Sequence, residues 1–274
     1  MPGKLEDTKT VIGIASEIVS MAKDSPELSE AGENFATSAL IVSKAVKNVL
    51  LPIAAVNFAF DKGREYFENS FQKDLEKMAE NIPPENIVEP DASVAAGALQ
   101  GLAFSHGENA LKEMYLALIA TAMDKENKEN AHPAFAEIIK QLSGVEAAAL
   151  SSFLKNADKQ LPICEVRQIN KIDRESYTLL RHLLDWQDMS IGGRKENPQG
   201  TAMVENWRRL GLVEVDYTKT FVASGAYDWI PMRSEVTAIQ LKDGFDIRYV
   251  KGILYLTDFG KSFADAVSAS SAET

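Results

Sequence analysis

The sequence is poor in the residues that most often carry chemistry. Its 274 residues include one cysteine, Cys164, and three histidines. A single thiol excludes an intrachain disulfide and any zinc site built from several cysteines. It fits a reducing compartment. The histidines, His106, His132 and His182, show no H-x-x-x-H or H-E-x-x-H spacing, so no helical metal pair is encoded. Positive charge is also short: 29 Lys and Arg stand against 40 Asp and Glu, a net charge of −11. Such a chain is not drawn to phosphate backbones or anionic lipid. Long apolar runs are missing too. The most apolar stretch, "VLLPIAAVNFAF" at 49–60, is shorter than the roughly 20 residues that span a bilayer. A buried helix is the expectation there, with a membrane-perturbing helix as the alternative. The start, "MPGKLEDTKT", is polar and has no signal-peptide core, which places the expected location in the cytoplasm. Neither G-x-S-x-G nor a Walker A loop occurs.

What is present is helical periodicity. "TVIGIASEIVSMAKD" sets Val11, Ile14, Ala15, Ile18 and Ala22 on one face, predicting a helix within 1–28. A second region, 29–160, reads as a multi-helix bundle. Pro52 must kink or split its first long pattern, since proline lacks the N–H and clashes with the preceding turn. Phe67, Phe71, Leu75 and Met78 then form a stripe, opposite Glu65, Asn69, Lys73 and Glu76. Asp91 is placed to cap a helix rich in alanine and glycine, whose small residues allow close approach. "ENALKEMYLALIATAMD" puts Leu111, Met114, Tyr115, Leu118, Ile119 and Ala122 on one face. The run "DKENKEN" reads as an exposed loop. Pro133 suits a first helical position, and Ser143 with Glu146 makes a capping box for the next helix.

Beyond about residue 160 the pattern changes. "ICEVRQIN" has strand content, and "ESYTLLRHLLDWQ" reads as a helix with Tyr177, Leu180, Leu183 and Leu184 inside. "TAMVENWRRLGLVEVDY" reads as a helix closed at Gly211 and then a strand. "FDIRYVKGILYLTDFGKSFADAV" reads as two short strands meeting near Gly252, followed by a helix capped by Thr257. That order predicts a smaller α+β winged-helix-like domain over 161–268, with a disordered tail at 269–274. The expected fold class is therefore mainly α: a multi-helix bundle followed by the winged-helix-like domain.

The candidate reactive groups have structural explanations. His132 before Pro133 reads as a helix cap, His106 as part of an interhelical turn, and His182 as a solvent-facing residue within a helix. A site gathered in space from His106, His132 and Glu137 is the metal alternative. Glu113, Glu137 and Glu146 fit caps and solvated faces better than a paired acid and base. Cys164 has no basic neighbour to lower its pKa and reads as a buried strand residue. "SIGGRKENPQG" fits a hairpin or surface loop better than a phosphate cradle. No catalytic, metal or cofactor residues are assigned, and no cofactor is expected. For nucleic acid, Arg194, Lys195, Arg208 and Arg209 are the candidate contacts on the recognition-helix reading, although the chain beyond 160 is close to neutral.

Several pieces resemble the abortive infection alpha family of bacterial and prophage proteins: "LLPIAAVNFAFDKGREYF", "IPPENIVEP", "VAAGALQGLAF", "LKEMYLALIATAMD" and "AHPAFAEIIKQLSGVEAAAL". Further along, "NWRRLGLVEV" and "LYLTDFGKSF" are similar to its C-terminal pattern, with Trp207 where a small or leucine-like residue would stand. The resemblance implies a role in phage exclusion, anti-phage defence or toxin immunity, and brings no catalytic residues. Together with the missing motifs and the acidic charge, it leads to an expected non-enzymatic protein acting by protein–protein contact. The expected partner is a phage component, a toxin or a second copy. The alternatives are a winged-helix DNA-binding regulator and a membrane-perturbing effector.

Overall fold

The computed structural model describes residues 57–155, 160–185, 187–188, 193–194 and 199–268. The helix expected within 1–28, the Pro52 break, Lys195 and the tail 269–274 lie outside the described residues. Within them the chain divides into two compact units, 57–151 with 263–268 and 152–262.

The first unit is built on α1 (Asn57–Asn69), α2 (Phe71–Ala79), α3 (Ala92–Ser105), α4 (Asn109–Met123), α5 (Ala134–Lys140) and most of α6 (Gly144–Leu154). The stripe through Phe67 and Phe71 is one continuous pattern, yet Ser70 divides it into α1 and α2. α4 is expected to be one-faced. Instead 10 of its 15 residues are buried, because Leu116, Ala117, Ala120 and Met123 extend the apolar surface around the helix. α3 packs closely on α4: a Cβ at Gly101 would lie 2.2 Å from the Tyr115 ring. The three expected caps form. Asp91 accepts from the Ser93 N–H at 2.8 Å. His132 Nδ1 accepts from the Ala134 N–H at 3.1 Å, with Pro133 already in helical geometry. Ser143 and Glu146 exchange bonds of 2.9 and 3.2 Å. Near the chain's end, Phe263 meets Phe135 edge-on at 5.4 Å and Thr121 bonds the Ala266 carbonyl at 3.0 Å.

The second unit is a four-stranded antiparallel sheet in the order β2-β1-β6-β5. Its strands are β1 (Gln160–Asn170), β2 (Ser176–Leu184), β5 (Val213–Asp216) and β6 (Phe245–Leu256). A two-stranded ribbon joins β3 (Gln187–Asp188) to β4 (Gly193–Arg194), and the helices are α7 (Gly200–Arg209), α8 (Ser234–Thr237) and the start of α9 (Asp258–Val267). Gly211, at φ +75°, closes α7, and Thr257 Oγ1 caps α9 by accepting from the Gly260 N–H at 2.8 Å.

Two expectations are corrected here. "ESYTLLRHLLDWQ" forms strand β2, not a helix, for Ser176–Leu184. Its Leu and Tyr spacing satisfies a helical period, but pairing with β1 decides its state, as strand preference depends on partners more than on residues. Tyr177, expected inside, is 49% exposed. Phe245–Leu256 is one continuous strand, not two. Gly252 lies within it because a Cβ there would come 2.6 Å from the Tyr217 ring. With a strand where the first helix of a helix-turn-helix was expected, the element order is not that of a winged helix. The fold is mixed α+β, a helical unit and a curled antiparallel sheet, rather than mainly α.

Residues alternate faces along β1. Cys164 and Val166 point into a core completed by Leu183, Tyr227, Trp229, Ile230 and Val236. Ile163 and Glu165 point the other way and are also buried. α7 packs against β2 and β5, burying Met203, Val204 and Trp207.

Candidate functional site

The buried polar residues of the sheet gather around a β-bulge. Cys164 pairs with Leu183 and Val166 with Leu180, so Arg181 and His182 both face Glu165. A bulge adds a residue to one strand and re-aims its side chain. His182 takes up the distortion at φ +53°, a left-handed conformation that histidine tolerates better than most residues. Its ring turns inward and is 5% exposed. Nε2 lies 2.7 Å from Glu205 Oε1 on α7, and Nδ1 lies 3.0 Å from the Tyr217 hydroxyl beyond β5. The His182 and Tyr217 rings are nearly parallel, 10° apart. Glu205 also accepts from Arg208 Nη1 at 3.1 Å. Beside them Glu165, itself 5% exposed, accepts from Thr178 at 2.9 Å and from Arg167.

These bonds set the chemistry. The Glu205 carboxylate fixes the tautomer, with the proton on Nε2, so Nδ1 accepts from the Tyr217 hydroxyl. Burial holds the imidazole below its ordinary 6.5, opposed by the Glu205 hydrogen bond. Burial, then the charge of Glu165, pushes the Tyr217 phenol well above its usual range. Burial raises Glu165 less than the bonds from Thr178 and Arg167 lower it, so its carboxyl stays ionised. Tyr217–His182–Glu205 has the connectivity of a nucleophile, base and orienting acid. Its hydroxyl, however, keeps its proton and is engaged by His182 Nδ1. The arrangement clamps β2, α7 and the segment after β5. Cys164, whose thiol burial pushes up to about 12, is equally unreactive.

A second feature lies in the helical unit. Gly63 abuts the Ala103 carbonyl, and Tyr66 stacks on His106 at 5.1 Å and 18°. α1 and α3 therefore run in the same direction and end side by side. Between their ends lies a cleft of about 280 Å³ lined by Glu65, Tyr66, Asn69, Ser70 and His106. Beneath it the Tyr66 hydroxyl donates to Asp74 Oδ2 at 3.0 Å, and Lys112 Nζ reaches the same oxygen at 3.0 Å.

The residues singled out from the sequence separate accordingly. His132 caps α5, with its ring 5.8 Å from that of Phe135, whereas His106 lines the cleft. Glu137 lies on the surface with Lys140 3.7 Å away. Among the described residues no group of three or more His, Cys, Asp or Glu is placed to hold a metal. Arg208 is engaged by Glu205, and Arg209 donates to Asn206 Oδ1 at 2.7 Å. Arg194 belongs to β4, paired with Gln187, and Lys195 is outside the described residues. The clamp is not legible in the sequence. His182 is expected on a helix facing solvent, and positions 182, 205 and 217 share no local spacing that joins them. Among the described residues no helix is long and apolar enough to cross a membrane.

Compared with known families, residues 63–267 match the model described as abortive infection alpha. No curated protein and no solved structure matches the chain.

Proposed function

The chain belongs to the abortive infection alpha family, and from that premise we propose that it serves bacterial defence against phage, or immunity to a toxin, through protein–protein contact in the cytoplasm rather than by catalysis. The observation that carries this reading is the distribution of charge. Residues 57–151 hold sixteen Asp and Glu against eight Lys and Arg. Glu65, Glu68, Glu76, Glu80, Glu85 and Glu89 are all exposed. A surface of net negative charge speeds encounter with a basic partner and disfavours acidic ones. The buried histidine cluster supports the same reading, because its hydroxyl and its imidazole are both held by structural bonds. Arg208, tied to Glu205, argues against a basic recognition helix.

The test has two parts. Cells expressing the full chain are challenged with phage and scored by plaque count, and the tagged chain is recovered for its partners and its oligomeric state. Reduced plaque numbers with a stoichiometric partner or a defined oligomer are expected. Protection by a chain that stays monomeric and partnerless would remove the contact mechanism.

A further inference from the structure

Eight of the chain's nine arginines lie beyond residue 160. Two of them meet on the sheet. Arg167 on β1 and Arg248 on β6 are direct cross-strand partners, in a stretch where the β1–β6 register runs without a shift. Such partners project from the same face, here the one that carries Glu165, with Cβ atoms about 4.5–5.5 Å apart. Like charges placed directly opposite each other repel. On this face β1 and β6 hold two acids, Glu165 and Asp246. Asp246 is taken by Lys171 at 3.0 Å. Glu165 is buried and accepts from Thr178 and from Arg167 Nε. That bond anchors Arg167 through one of its five N–H donors. The Arg167 side chain is still 39% exposed. Arg248 is exposed and, among the described residues, bonds no carboxylate. The charge of Arg181, exposed at the bulge, also acts on Glu165.

We propose that Arg167 and Arg248 together bind a single phosphate group, free or as a monoester. A guanidinium presents its donors as a planar fork. Two forks on neighbouring strands call for an acceptor with more than two oxygens, which a phosphate offers and a carboxylate does not. The chain beyond 160 is nearly neutral, so a small anion can approach this face. The net charge of −11 disfavours a polyanion, whose repulsion acts at longer range. Glu165 is a positioning residue: it holds Arg167 in place and stays beneath the ligand. The site lies apart from the acidic helical surface and does not depend on the protein-contact reading.

The probe is inorganic phosphate, titrated at constant ionic strength into the full chain with isotope-labelled arginine. The Nε–H resonances of Arg167 and Arg248 are followed. Both should shift and saturate, whereas acetate and chloride should leave them in place. Phosphoserine, tested beside phosphate, tells an esterified source from a free one, and binding of either supports the site. Arg248→Gln should weaken binding roughly tenfold, the scale of a hydrogen bond to a charged group. Arg248→Lys, which keeps the charge and loses the fork, should not restore it. Lys73→Gln, the same charge change on an exposed residue of α2, should have no effect. Acetate or chloride acting as phosphate does, or full binding by Arg248→Gln, would overturn the assignment. So would tighter binding of a short DNA duplex, which would make the face a polyanion surface.

Discussion

Arg181 and His182 share one partner, Glu165, across the β1–β2 ladder, and that extra residue turns the His182 ring inward. The consequence is a pH dependence. The groups facing the ring are Glu205 and Arg208 on α7, Tyr217 beyond β5, and Glu165 on β1. Their net effect, led by burial, is an imidazole below its ordinary value, so the unfolded chain takes up the proton first. The contribution is then fully present above about pH 6.5 and is lost as pH falls toward the folded value. Urea midpoints from pH 7.5 down to 5.5 should fall for the wild-type chain. They should fall less for His182→Asn, which tolerates the left-handed backbone and itself costs about 1–3 kcal/mol of buried hydrogen bonding. An unchanged slope would remove the linkage. His132 differs, because its ring is a cap. His132→Ala should lower stability by about 1 kcal/mol and leave plaque protection intact.

Caps and close approaches decide the helices. Ser143→Ala removes half of the capping box before α6 and should cost about 1 kcal/mol in thermal denaturation. Gly101→Ala should cost more, roughly 1–3 kcal/mol, because the new methyl would meet the Tyr115 ring, which is fully buried and has no room to withdraw. A Gly101→Ala chain with unchanged stability would mean that α3 and α4 are not held so closely. The caps were legible in the sequence because each is read over three or four consecutive residues. β2 was not legible. Its leucines fit a helical period, and only β1, joined to it through a turn at 171–175, gives it a strand's partner.

For the molecule as a whole, the negative charge lies mostly on the helical unit, while the chain beyond 160 is nearly neutral. Association with a basic partner should therefore slow as salt rises from about 0.05 to 0.3 M, across which screening shortens the reach of exposed charges. Dissociation should change little. A salt-independent association rate would place the contact on apolar surface instead. Phe104, 52% exposed, and Val145, 60% exposed, would be the first residues to substitute in that case.

The sequence by itself determined what is local: the helical character of 57–154, the Asp91, His132 and Ser143 caps, the Gly211 stop, the acidic charge and the family. Each depends on residue type and short spacing, which the linear chain displays. The tertiary structure alone decided that 176–184 is a strand, that His182 is buried against Glu205 and Tyr217, and that Glu65 and His106 line one cleft. These depend on residues 7 to 41 positions apart meeting in space. No period along the chain encodes such a meeting. It arises when strand pairing and parallel helix packing bring those positions together.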